Sequence, residues 1–516
     1  MNDEIERRRS GYRIPTRRGR PAEPVVMTLW FDVEDLIGFY QYACRPTGIQ
    51  RVTFEICREV WRQAGTSGKV RFCRHGTTPD EYFLVDWPEL EAGIMSACSA
   101  EKASAPPLPQ APGPAPAPAP RPNAMGRLHM YLAPRLTPSI RLPLGRLYRS
   151  GKQFLLALRD LVLACVAALR RPGRLPIPIG DGSVRLAVEK AVFAPGDVFV
   201  ALGAPWGALH WTAGRHVKQQ YGLRLAMLVY DLIPQLYPEW TSSVSLAGYR
   251  AWLTGVVPHA DLVFAISDNT ARDFMRHMRI GNRSRAVPVV LPMGNTPPQP
   301  LAVPAVPPFE RPFVLLVSTI EVRKNHALMF RVWRRLLETL PAERVPYLVF
   351  AGKPAWLTGD LMAQLDNAGW LDGFIKLVDS PSEPELAALY ETCLFTVFPS
   401  LYEGWGLPLT ESLSYGKVVA ASNRASIPEA GGEFCVYFDP ENLNEATSVV
   451  RGLIENPARL RALEARIRER FRPPAWADTA SVLLENLLAA GEQAAGEQAA
   501  RKEVAAAAEG EVGAGA

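Results

Sequence analysis

Two doubly wound α/β domains facing a cleft are expected from three features of the sequence. Strand-like apolar runs alternate with helical stretches through both halves of the chain, the alternation of a parallel sheet. A Pro-rich linker at 297–311 separates the halves, clearest at 297–308. In the second half the apolar run Leu394-Phe395-Thr396-Val397-Phe398 leads straight into Glu403-Gly404-Trp405-Gly406-Leu407-Pro408-Leu409-Thr410-Glu411. The 516 residues suffice for two ordinary domains plus extras, and 48% apolar content supports real cores. A net charge of +5 is too small to imply nucleic-acid binding by itself.

Residues 1–24 are basic and are expected to be disordered. The first domain, 25–296, begins with a strand at Val26–Asp32. A loop, Arg45-Pro46-Thr47-Gly48-Ile49-Gln50-Arg51, follows, and then an amphipathic helix from about Val52 to Arg62. An insertion is expected at 100–175. Its first part is a Pro/Ala spacer centred on the alternation Pro114–Pro120, an extended or disordered composition. Its second part, 125–174, carries ten Lys/Arg against the single acid Asp160, with an apolar stretch from Phe154 to Leu169. Two placements fit that stretch: flat against an anionic membrane surface, which is preferred, or packed on the domain with its arginines solvated. It is too short and too charged to span a bilayer.

The first domain resumes with strands at Asp197–Gly203, Leu223–Val229 and Ala260–Ile266. The second domain, 312–474, is expected to contain strands at Phe313–Ser318, Tyr347–Ala351, Phe374–Val378, Leu394–Phe398, Val418–Ala421 and Val436–Phe438. A helix at 475–490 should pack back on the first domain, and the tail at 491–516 is low-complexity. Seven scattered cysteines without a C-x-x-C pair read as reduced thiols. His210, His216, His259 and His326 show no metal spacing, and no metal or other cofactor is expected. The Arg-rich N-terminus lacks the apolar core of a secretory signal. The expected location is therefore cytoplasmic, peripheral on the inner face of the cell membrane if the basic stretch binds lipid.

The chemistry is carried by the Glu403–Glu411 run. In an open α/β sheet ligands bind at the carboxyl ends of strands. A carboxylate offers two acceptor oxygens and no donor, which suits neighbouring hydroxyls of a sugar or ribose. The run resembles the E-x7-E signature, in its EGFGLPxxE form, of retaining glycosyltransferases of family 4 with the GT-B fold; Trp405 replaces the usual Phe. The resemblance implies a donor-binding second domain. Glu403 would then sit by the donor sugar, Glu411 on the ribose hydroxyls, and Gly404, Trp405, Gly406 and Leu407 in the donor-facing loop.

Companion segments extend the resemblance over about 25–99 and 175–480. Ser318-Thr319-Ile320-Glu321-Val322-Arg323-Lys324-Asn325-His326 is similar to the family's GTxEPRKN segment. Two cations at the mouth of a helix make a diphosphate site. The resemblance assigns Lys324, with Arg323 nearby, to the leaving diphosphate. Ser318-Thr319 stands where some members carry Gly-Arg. The loop around Gly48 and Arg51 resembles TGIxR, near donor phosphates or acceptor. Val229-Tyr230-Asp231-Leu232 has Tyr230 where many relatives have His, so Asp231 is left to contact acceptor or to serve a turn. Ser426-Ile427-Pro428-Glu429 also matches, with Glu429 near the donor. Implied is retaining, metal-independent transfer of a hexose or deoxyhexose, GDP-mannose or a GDP-deoxyhexose first, to a glycan or lipid-linked acceptor in cell-surface polysaccharide synthesis. The alternatives are a catalytically silent sugar- or lipid-binding scaffold and another nucleotide-sugar enzyme. The latter would want G-x-G-x-x-G after the first strand, where Phe31-Asp32-Val33-Glu34 stands instead.

Overall fold

The structure, a computed structural model, describes residues 27–41, 48–76, 78, 81–104, 174–179, 182–187, 189–207, 212–279, 286–299 and 308–493. The basic N-terminus, Arg45, the spacer, the basic stretch from 125 to 173, the middle of the linker and the end of the tail lie outside the described residues.

The first domain is built on β1 (Leu29–Asp32), β2 (Val70–His75), β3 (Tyr82–Val85), β6 (Val198–Ala201), β7 (Arg224–Val229), β8 (Leu262–Ala265) and β9 (Val289–Val290). They form a seven-stranded sheet in the order β3-β2-β1-β6-β7-β8-β9. β1 is central and parallel to both neighbours, with Leu29 opposite Val70 on one side and Val198 on the other. Such strands are covered on both faces and read as continuous apolar runs; all four residues of β6 are buried. Side chains alternate across β1. Leu29 and Phe31 join one core and Trp30 the other. A hairpin of β4 (Arg174–Ile179) and β5 (Gly182–Ala187) forms a separate two-stranded sheet that lies beside β3.

The second domain holds β10 (Phe313–Val317), β11 (Tyr347–Ala351), β12 (Ile375–Val378), β13 (Thr396–Phe398), β14 (Val419–Ser422) and β15 (Cys435–Phe438). Their order is β12-β11-β10-β13-β14-β15, all parallel. The chain winds outward from β10 on one side and from β13 on the other. The switch point, where such sheets bind ligands, therefore lies between β10 and β13. The equivalent point of the first sheet lies between β1 and β6.

Boundaries differ from expectation in a few places. The first-domain helix starts at Gly48 and runs to Ala64. A helix over Trp87–Ser104 crosses the expected insertion start at 100. β2 and β3 were not anticipated because Val70-Arg71-Phe72-Cys73-Arg74-His75 interleaves charge with apolar residues near a sheet edge. A helix over 476–493 follows the second domain. Trp476, Ala480, Leu483 and Leu487 are buried in the same core as Leu29 and Phe31. Thr479 Oγ1 accepts from the Gly294 amide at 3.1 Å, so the return helix is pinned to the end of the first domain. Among the described residues no helix is long and apolar enough to cross a membrane.

Candidate functional site

At the second-domain switch point, β10 ends at Val317 and the chain reaches a single 3₁₀ turn, Val322–Lys324, before the helix His326–Thr339. Asn325 joins them with φ 58°, the left-handed conformation that Asn tolerates through its short polar side chain. Its Nδ2 donates to the carbonyls of Pro399 (3.2 Å) and Pro440 (3.0 Å), fixing the turn against the loops after β13 and β15. The Leu401 amide donates to the Arg323 carbonyl at 2.8 Å, a second tie between the two loops.

These ties bring three of the expected residues together. Lys324 Nζ donates to Glu403 Oε1 at 2.6 Å, and Arg323 Nη1 to Glu403 Oε2 at 2.5 Å. The other arm of Arg323 pairs with Glu321 at 2.7 Å, and Nη1 also donates to the Tyr402 carbonyl at 2.8 Å. Glu403 is 6% exposed. Burial alone would raise its carboxyl, but Arg323 and then Lys324 outweigh burial, and bonds from Lys324 and Ser400 add to them, so the group titrates at about 2. Burial and then Arg323 lower the Lys324 ammonium against the pull of Glu403 and Glu321. Burial opposes the Arg323 charge too, but Glu403, Glu321 and Asp231 outweigh it and raise that group. His326, behind them, is held neutral by burial and by Lys324 and titrates at about 3; its Nε2 lies 3.5 Å from Ser318 Oγ. The product is two cations and two carboxylates preorganised at the carboxyl ends of the central strands β10 and β13. A buried ion cluster is costly to break one member at a time.

Glu411 lies on the helix Leu407–Ser414 and is 2% exposed. Its Oε2 accepts from Tyr390 at 2.9 Å, and its Oε1 accepts from Arg51 of the first domain. Arg51 also donates to the Thr296 carbonyl. Both carboxylate oxygens of Glu411 are therefore engaged, and Arg51 serves as an interdomain tie. Gly48 opens the Arg51 helix, and a Cβ there would meet nothing within 4 Å.

The loop between the two glutamates is the seam of the domains. A Cβ on Gly404 would stand 2.3 Å from the Tyr230 carbonyl and 3.2 Å from Asp231 Cβ, so only glycine lets this loop approach the end of β7. Gly406, at φ 130°, starts the helix in a conformation that favours glycine. Trp405 packs against the cores of both domains and Leu407 against the first. Ser426 donates to the Glu403 carbonyl at 2.8 Å and the Trp405 carbonyl at 3.2 Å, holding the loop from below.

Across the seam, Tyr230 points into its own domain. Its hydroxyl donates to the Leu202 carbonyl at 2.8 Å and lies 2.9 Å from Thr53 Oγ1 and 3.3 Å from the Ile49 carbonyl, so it positions the Gly48 helix. Asp231 Oδ1 accepts the Ile233 amide at 2.9 Å, a turn contact; burial raises its carboxyl against the nearby Arg323. Glu429 accepts the amides of Asp268 and Asn269, both at 2.8 Å, capping a first-domain helix from the second domain. It also lines an interdomain cavity of about 710 Å³ together with Trp405 and Phe434.

Sequence reasoning missed Glu321, Tyr390, Tyr402 and Ser426 as partners. Glu321 was visible two residues from Arg323. Tyr390 sits 21 residues from Glu411, and no local pattern marks it.

Residues 304–470 match the family described as glycosyl transferases group 1. The chain is similar to the serotype-specific mannosyltransferase WbdA of Escherichia coli, 27% identical over 265 residues, which are 50% of this chain and 32% of that protein. It is also similar to the O-antigen chain mannosyltransferase B of Escherichia coli, 29% identical over 171 residues, 33% of this chain and 39% of that protein. The chain thus spans about a third of the length of these curated relatives. Among solved structures, Anabaena Alr3699/HepE in complex with UDP and glucose superposes with a TM-score of 0.50 at 13% identity, covering 90% of this chain and all of that one. That likeness concerns the fold: two Rossmann-like α/β domains of the GT-B type.

Proposed function

We propose that this chain, whose residues 304–470 form a glycosyl transferases group 1 domain, is a glycosyltransferase of the retaining, metal-independent kind. It moves a hexose or deoxyhexose from a nucleotide-diphosphate sugar to a glycan or lipid-linked acceptor in cell-surface polysaccharide synthesis. Mannose from GDP-mannose is the first candidate, in keeping with the mannosyltransferase names of the two relatives. The observation that carries the reading is the buried Arg323–Glu403–Lys324 cluster at the second-domain switch point.

Cleavage of a nucleotide-sugar bond places growing negative charge on the diphosphate and positive charge at the anomeric carbon. Fixed cations at the first and a fixed carboxylate at the second need no reorganisation during the step. Lys324 and Arg323 take the diphosphate, and Glu403, ionised at neutral pH, faces the sugar. Glu411 takes the ribose hydroxyls when they replace the Arg51 guanidinium at its Oε1. Opening of the seam at Gly404–Leu407 admits the donor, with Ser318 at the end of β10 on its phosphate side. Asp231, Gly48 and Glu429 frame the cleft from the seam. Contact of 125–174 with an anionic membrane surface belongs to the same proposal and rests on the sequence alone.

Thermal unfolding of the full chain with a panel of GDP- and UDP-sugars tests this, since a ligand that binds the folded state raises the midpoint. One nucleotide sugar is expected to protect the wild type, and Lys324→Ala to lose that protection. No protection by any donor, or equal protection of the variant, would count against the assignment and favour a silent scaffold.

A further inference from the structure

On the far side of the Glu403 loop, a second interdomain cavity of about 460 Å³ lies outside the donor residues. Its floor is aromatic. Tyr237 and Trp240 stack with ring centroids 4.2 Å apart and 12° between planes, and Tyr402 leans on Tyr237 at 5.2 Å. The platform is held firmly. Trp356 Nε1 donates to the Trp240 carbonyl at 2.9 Å. Asn269 Nδ2 donates to the Tyr402 hydroxyl at 2.8 Å, and that hydroxyl in turn donates to Asp273. The rim presents the carboxylates of Asp273 and Glu441 and the exposed guanidinium of Arg276, which makes no ion pair among the described residues. Arg424 is already neutralised by Asp439 at 3.0 Å and Glu441 at 3.1 Å.

We propose that this cavity is the acceptor subsite and takes a pyranose ring of the glycan, stacked on the Tyr237–Trp240–Tyr402 platform. A pyranose offers an apolar C–H face to aromatic rings and a girdle of hydroxyls to acceptors and donors around them. The volume falls within the range of small-molecule pockets, which combine apolar walls with a few polar groups. The connection to the donor side is one residue long: Tyr402 forms the cavity wall while its carbonyl accepts from Arg323, and the next residue is Glu403. An acceptor sugar on the platform therefore lies beside the carboxylate assigned to the donor sugar.

The inference rests on the glycosyltransferase reading, and the test separates the two. Saturation-transfer NMR on the full chain, with trisaccharides ending in mannose, glucose, galactose or rhamnose, reads the cavity directly. Thermal protection by the sugar nucleotides reads the donor site in the same samples. At least one trisaccharide is expected to bind the wild type, at least tenfold more weakly to Trp240→Ala, and near normally to Trp240→Phe. Protection by the donor should be the same in all three. Absence of trisaccharide binding to the wild type, or equal binding to Trp240→Ala, overturns the proposal. So does loss of donor protection in Trp240→Ala, which would make this a nucleotide pocket. Absence of donor protection in every sample overturns the donor reading instead.

Discussion

At the residue scale, the proposed chemistry turns on the state of Glu403. Its folded pKa of about 2 lies below the ordinary value of 4.5. A depressed carboxylate stabilises the fold fully above the unfolded value, and that contribution disappears as pH falls from about 4.5 towards about 2. By linkage it amounts to roughly 3 kcal/mol. Acid titration of the unfolding free energy should therefore show a steeper loss between those limits in the wild type than in Glu403→Gln; identical slopes would contradict the ion cluster. The same substitution keeps an acceptor for one cation while removing the charge. It is expected to lower turnover by about a hundredfold or more with folding retained, as checked by steady-state kinetics beside circular dichroism. The members of this cluster were legible in the sequence once the family resemblance joined the two segments. The spacing of Glu403 after an apolar run and the Arg323-Lys324 pair before a helix put a carboxylate and two cations at adjacent strand ends. The engagement of Glu411 by Arg51 and Tyr390 was not legible, because it joins residues 360 and 21 positions apart.

At the element scale, the central strands were readable because parallel strands buried on both faces are apolar throughout. The expected Leu223–Val229 and Tyr347–Ala351 appear as Arg224–Val229 and Tyr347–Ala351. β2 was not, since it mixes arginines and a histidine into its pleat, whereas the outer strands of the second sheet, Ile375–Val378 and Cys435–Phe438, were expected at Phe374–Val378 and Val436–Phe438. The seam tells a similar story. The resemblance puts Gly404 and Gly406 in a donor-facing loop, and the close approach found at Gly404 is to the other domain's backbone at Tyr230. Gly404→Ala should force that seam apart. Small-angle scattering is expected to show a larger radius of gyration for the variant than for the wild type, and an unchanged radius would argue against a packed seam. Glu429 illustrates an element built from two domains. It supplies the acceptor for the first amides of the helix Asp268–Arg279. Loss of such a cap costs about 1 kcal/mol. Hydrogen exchange at 268–270 should accelerate in Glu429→Ala while the strands of both sheets stay protected; unaltered exchange would remove the cap from the account.

At the scale of the whole molecule, the chain crosses between domains twice, once through the linker and once through the helix at 476–493. Trp476 is 4% exposed in the first-domain core although it follows the second domain in sequence. Its truncation to Ala should cost about 3–5 kcal/mol, seen as a lower midpoint in chemical denaturation; an unchanged midpoint would mean that the return helix is not part of that core. This arrangement leaves the Arg323–Glu403–Lys324 cluster facing the first domain across one glycine-lined seam, and the aromatic cavity beside it. On the proposed reading, donor and acceptor share the loop from Leu401 to Leu407. The most direct measurement of that claim is transfer itself. The full chain and its Glu403→Gln variant are incubated with the protecting sugar nucleotide and a binding trisaccharide. Free nucleoside diphosphate is quantified, and the anomeric configuration of the new linkage is read by NMR. Equimolar nucleoside diphosphate and glycosylated product are expected, with the donor's anomeric configuration retained and near-complete loss with Glu403→Gln. Equal turnover by the variant, or an inverted linkage, would contradict it.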